Sequence, residues 1–148
     1  DLLEAALIAR FSVNVDATID GLAQILATVS SREEMLAALR EVNKHNQAQS
    51  RASFRLERAR AAGLTYSSPR FHSALGAEQQ RLTDAFTDLF IEAQNKGWMS
   101  ESVDARAAAV FVQAYTIGRV VDDIAPEKVD PDAWISLIMA VIDKAILN

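Results

Sequence analysis

The chain has 148 residues, half of them apolar and about a quarter charged, with five Gly, three Pro and no Cys. That composition describes one domain, 1–148, large enough to enclose a core, and excludes a disordered segment, disulfides and thiolate metal sites. A net charge of −5 argues against a nucleic-acid-binding surface within these residues.

The longest apolar runs, such as Ala107–Val112, are far shorter than the roughly 20 residues that cross a bilayer. No signal peptide opens the chain, so no membrane partner is expected and a reducing cytoplasm fits. The chain starts at Asp1 already in a helical pattern, which reads as a fragment or processed product.

Leu2, Leu3, Ala6, Leu7 and Phe11 recur at helical spacing, and Val15, Ile19, Leu22, Ile25 and Leu26 continue it. Gly21 lies inside this stretch, so a bend near 13–21 is compatible with it. Ser31 to Glu34 reads as a capping box, opening a helix that carries Met35, Leu36, Leu39 and Val42. Residues 43–50 are polar, without a stripe, and fit either a helical continuation or a connection. A basic helix follows to about Ala62, with Gly63 as its C-cap. From Phe71 an amphipathic helix runs through Leu75, Leu82, Phe86, Leu89, Phe90 and Ala93 to Gly97. Ser102 or Asp104 caps the next helix, which ends near Ile124 before Pro126. Asp130-Pro131 opens the last one, Ala133 to Leu147. There is no strand alternation: the expectation is all-α, six or seven helices.

The last two helices carry more apolar surface than one core needs. On a helical wheel Val103, Ala107, Val110, Phe111, Ala114, Gly118 and Val121 form one face, assigned to the subunit core. Ala105, Ala108, Ala109, Val112, Thr116, Arg119 and Asp123 form the other, a small-residue face suited to a partner. In the last helix Trp134, Ile138, Val141 and Ala145 make one row, and Ile135, Met139, Ile142 and Ile146 a second. Two such helices from each of two chains would build a four-helix bundle across a two-fold axis. The other way to cover both rows is against the N-terminal helices of the same chain. The dimer is the favoured reading, with Ala105, Ala108, Ala109, Val112, Thr116, Arg119, Ile135, Met139, Ile142 and Ile146 at the interface.

This order of elements resembles the regulatory domain of the TetR family of bacterial transcriptional regulators. The residues carrying the resemblance are Phe86–Phe90 to Gly97-Trp98, Val103-Asp104, Ala107–Ala109, Gly118 and Asp130–Trp134, with Asp1–Phe11 similar to the start of the family's fourth helix. The resemblance spans essentially the whole chain. It implies a repressor-type regulator, a homodimer, and an effector cavity enclosed by the central helices away from the dimer interface. DNA would be reached only through an N-terminal helix-turn-helix, which is not in these residues.

No catalytic constellation, metal site or cofactor motif is present, and no enzyme is expected. His45 and His72 lie 27 residues apart, and the five glycines are scattered. Asp122 and Asp123 are adjacent, point to different faces and read as a helix end. Arg51, Arg55 and Arg58 share a helical face, with Arg60 nearby. The favoured reading there is a solvated face relieved by Glu57.

Aromatic residues suit an apolar or aromatic small-molecule effector. Phe86, Phe90, Phe111 and Tyr115 are the candidate walls. Gln113 and His45, with Asn43 and Gln47, are the candidate polar contacts. The alternative for the aromatics is plain core filling. The expected function is an effector-sensing, dimerising regulatory domain; the alternative is a helical interaction scaffold without a small-molecule site.

Overall fold

The computed structural model describes residues 1–147, and among them every regular element is helical. Helix α1 (Leu2–Thr28) is continuous across Gly21, and the Asp1 carboxylate caps it by accepting from the Leu3 amide at 2.7 Å. α2 (Arg32–Gln47) starts at Ser31, whose hydroxyl accepts from the Glu34 amide at 3.1 Å. The Glu34 carboxylate reaches one residue further back than a capping box requires, accepting from the amide of Ser30 at 2.8 Å. The polar stretch 43–50 continues α2 and then tightens into a 3₁₀ turn, Gln49–Arg51.

α3 (Ala52–Leu64) passes through Gly63, so that glycine is not the C-cap; a second 3₁₀ turn, Thr65–Ser67, follows. α4 (Pro69–Asn95) begins two residues ahead of Phe71, with Ser68 accepting from the Phe71 amide and Pro69 in the first turn. It closes at Gly97, whose φ of 76° only glycine adopts without strain. The Trp98 amide then donates back to the Ala93 carbonyl at 2.8 Å. Asp104 caps α5 (Ala105–Gly118), accepting from the Ala107 amide at 2.7 Å. A single further turn, α6 (Val120–Asp123), completes that segment. Asp130 caps α7 (Pro131–Val141), which continues as a π-helical turn, Ile142–Ile146.

The apolar side chains gather into two clusters. One joins Leu22, Met35, Leu39, Leu89, Phe90, Ala109 and Ile142, among others, and holds α2, α5, α7 and the C-terminal half of α4 together. The other joins Leu7, Phe11, Val15, Ala61, Phe71, Leu75 and Leu82 at the opposite end of α1 and α4. α4 packs along both α1 and α5 and so serves as the spine. Phe86, halfway along it, touches both clusters.

The facing of α5 is the reverse of the wheel assignment. Ala108, Ala109 and Val112 are buried within this chain, Ala109 completely, and Arg119 is buried beside them. Ala107, Val110, Phe111, Ala114, Gly118 and Val121 point outward, with Val110 50% and Phe111 44% exposed. Ala108 and Ala109 face inward where α5 packs along α4. The polar residues beside them find buried partners. Gln113 donates to Thr83 Oγ1 at 3.1 Å and accepts from Gln79 at 2.6 Å, and Arg119 donates to the Gln47 carbonyl at 2.5 Å. Gln113 is satisfied there and so cheap to bury, while Arg119 Nε has no hydrogen bond and lies 3.7 Å from the Asp122 carboxylate.

The last helix is corrected likewise. Met139, Ile142 and Ile146, placed at a partner interface from the sequence, are buried by their own chain together with Ile138 and Leu147; Ile135 is half-buried. Leu137, outside both predicted rows, is 57% exposed.

Candidate functional site

A cavity of about 610 Å³ lies between the two clusters. α1 contributes Asn14, Val15, Thr18 and Leu22, α4 contributes Leu82 and Phe86, and α5 contributes Val112, Gln113, Thr116 and Ile117. Of the lining residues, Ala17 and Gly21 on α1 and Glu41 and His45 on α2 are exposed, marking the side that meets solvent. The space beside Gly21 is open: a Cβ built there meets nothing within 4 Å. A second, small cavity of about 30 Å³ shares Val42, Asn46, Phe86, Val112 and Thr116 with the first.

The floor of the main cavity is basic, supplied by Arg51, Arg55 and Arg58. Arg55 is buried and Arg51 and Arg58 are half-buried, so the three are not a fully solvated face. Arg55 is 1% exposed and holds the buried side chain of Asp123 in a bidentate pair, with Nε to Oδ2 at 2.8 Å and Nη2 to Oδ1 at 2.7 Å. Its Nη1 also donates to the carbonyls of Asn46 and Ala48. Asp123 is thus an internal counter-ion, where the sequence suggested only a helix end. The Arg55 guanidinium holds the Asp123 carboxyl below the ordinary carboxylate range, with smaller help from Arg119 and Lys128.

Arg58 has a different environment. Its guanidinium sits 4.4 Å from the centre of the Phe11 ring and donates to Gln79 Oε1 at 3.2 Å. Glu57, the carboxylate expected to relieve this face, pairs instead with Arg10 at 2.6 Å. Burial lowers the Arg58 pKa to about 10, which leaves it cationic at neutral pH. Arg51 stacks over Phe54 at 4.1 Å, and its Nε is buried without a hydrogen-bond partner.

Of the residues proposed from sequence, Phe86, Gln113 and His45 come together at the main cavity. Phe90 and Tyr115 line the small one, where the Tyr115 hydroxyl donates to Asn43 Oδ1 at 2.5 Å and burial pushes the phenol pKa up. Phe111 lies outside, its ring edge-on to Tyr115 at 5.5 Å. Gln47 is spent on structure, accepting from the Trp134 indole at 2.8 Å. Arg51, Phe54, Arg58, Asn14 and Thr18 line the cavity without having been singled out as its walls or contacts. The shared face of the arginines was the available signal.

Glu41 and His45 stand one turn apart at the mouth, but no hydrogen bond joins them, and Glu41 pairs with Lys44 at 3.5 Å. Among the described residues no three His, Asp or Glu side chains converge on a metal position, and no helix is long and apolar enough to cross a membrane. Comparison with protein-family models, curated proteins and solved structures returns no match.

Proposed function

We propose that this chain is an effector-sensing, dimerising regulatory domain of a TetR-like transcriptional regulator, the class its order of helices resembles. The observation that carries the reading is the cavity: about 610 Å³ bounded by five helices, within the size range of small-molecule sites. A bundle serving only as an interaction scaffold would fill its centre. The effector is a small molecule with an apolar or aromatic body, set against Leu22, Ile25, Phe54, Leu82, Phe86 and Val112.

We assign dimerisation to the outward strips, because Ala108, Ala109, Val112, Arg119, Met139, Ile142 and Ile146 of the first assignment are buried by their own chain. Val110, Phe111 and Ala114 on α5 and Leu137 and Ala140 on α7 are exposed in the single chain. A second copy covering them would assemble a four-helix bundle. Regulation would then be a two-state shift, in which an effector that prefers one arrangement of the dimer biases it and the attached DNA-binding heads move out of operator register.

The test is a thermal-shift screen of apolar and aromatic compounds beside light scattering on the eluting protein. A ligand at 100 times its Kd adds about 2.7 kcal/mol to stability, enough to raise Tm by several degrees. Consistent failure of the screen removes effector sensing, and a clean monomer at micromolar concentration removes the dimer.

A further inference from the structure

The cavity holds more positive charge than the fold consumes. Arg55 and Arg58 stand on the same face of one helix, and Arg51 precedes them by one turn. Arg55 is satisfied, with two bonds to a carboxylate and two to carbonyls. Arg58 has one neutral amide oxygen and an aromatic face. Arg51 has an aromatic face and a buried, unpartnered Nε. Among the described residues no carboxylate lies within ion-pair distance of either. The other charged lining group, Glu41, is exposed at the mouth and engaged by Lys44, and His45 beside it is exposed too. Arg51 and Arg58 are half-buried, and a partly desolvated guanidinium favours an anion and matches a carboxylate with two parallel donors.

We propose that the effector is anionic, a carboxylate on an apolar or aromatic body, with Arg58 as its principal counter-ion and Arg51 as the second. This rests on the effector-site reading above and specifies the ligand's chemistry. The carboxylate completes the arginine floor, and the body lies along Leu22, Phe54, Phe86 and Val112. Gln79, which accepts from Arg58 and donates to Gln113, holds the guanidinium in place from the α4 side. A neutral molecule of the same shape would fill the apolar volume and leave both cations unmatched, and an amine would add repulsion.

Matched probes test this by calorimetric titration of the intact chain: decanoate against decanol and decylamine, and naphthoate against naphthylmethanol. The expected result is a carboxylate preference of at least about tenfold over the alcohol in each pair, weakening with added salt. Decylamine should bind more weakly than decanol. Arg58→Met should bring the carboxylate down to the level of the alcohol measured in the same variant, while Arg58→Lys retains part of the preference. Circular dichroism checks that each variant is folded. Should Arg58→Met not fold, Arg51→Met and the salt series in the unaltered protein give the same discrimination. Equal binding of carboxylate and alcohol in the unaltered protein overturns the anion assignment and leaves the effector site standing. Failure of every probe to bind at millimolar concentration overturns the effector site, and this inference with it.

Discussion

Arg55 and Asp123 bring α3 and α6 together across a buried, bidentate contact. Removing one member leaves the other charged and dry, which costs about 3–5 kcal/mol. Asp123→Asn should lower stability by that amount in urea unfolding. The double change Arg55→Met with Asp123→Leu should recover much of it, since an apolar pair of similar volume is often no worse than a buried ion pair. The same pair sets an acid limit. The Asp123 carboxyl is depressed in the folded state, so its contribution is complete above the ordinary carboxylate pKa of about 4. It is lost as the pH falls through the lower folded value. Stability measured between neutral and acid pH should fall less steeply in Asp123→Asn than in the unaltered protein. An unchanged acid limb would place the acid sensitivity elsewhere. At Gly21, where an added methyl group meets open space in the middle of α1, Gly21→Ala should stabilise by about 1 kcal/mol from helix propensity. A lower Tm would show that α1 needs the glycine's freedom.

At the scale of the element, α5 turns Ala108, Ala109 and Val112 inward and Val110, Phe111 and Ala114 to solvent. Charge substitutions on its two sides should therefore behave oppositely. Val110→Glu and Leu137→Glu should leave circular dichroism and Tm nearly unchanged while abolishing the proposed dimer in light scattering. Ala109→Glu, into a site with no exposure, should unfold the domain. A dimer that survives both outward substitutions would place the interface elsewhere. This facing also marks the limit of what could be read from the sequence. Caps at Ser31, Asp104 and Asp130 and the closing Gly97 were legible because each acts within one turn of chain. The inward side of α5 was not, because it depends on partners far away in sequence. Gln113 is met from α4 by Gln79 and Thr83, and Arg119 by the Gln47 carbonyl at the end of α2. Phe86 lines the cavity from the α4 stripe that the sequence shows, but Arg58 was hidden. The pairing of Glu57 with Arg10, which deprives Arg58 of a neighbour, joins α3 to α1.

At the scale of the whole molecule, α5 is the one element that serves both proposed surfaces. Val112, Gln113, Thr116 and Ile117 face the cavity, while Val110, Phe111 and Ala114 face outward. Its far end is tied through Arg119 to the α2 terminus, and α6 through Asp123 to α3. A change in cavity occupancy that moves α5 must also move the outward strip. Such coupling is reciprocal: if a ligand alters dimer affinity by some factor, dimerisation alters ligand affinity by the same factor. With decanoate as the probe, saturation should change the dimer dissociation constant by at least about fivefold, the lower end of ordinary allosteric coupling. The monomeric Leu137→Glu variant should then bind decanoate with an affinity shifted by that factor in the matching direction. Sedimentation equilibrium with and without ligand gives the first quantity, and calorimetry on the two proteins gives the second. A dimer constant indifferent to ligand would leave a binding cavity and an interface with no communication between them. The two-state mechanism would then fail even if both sites exist, because a ligand can shift an equilibrium only by its differential affinity for the two states.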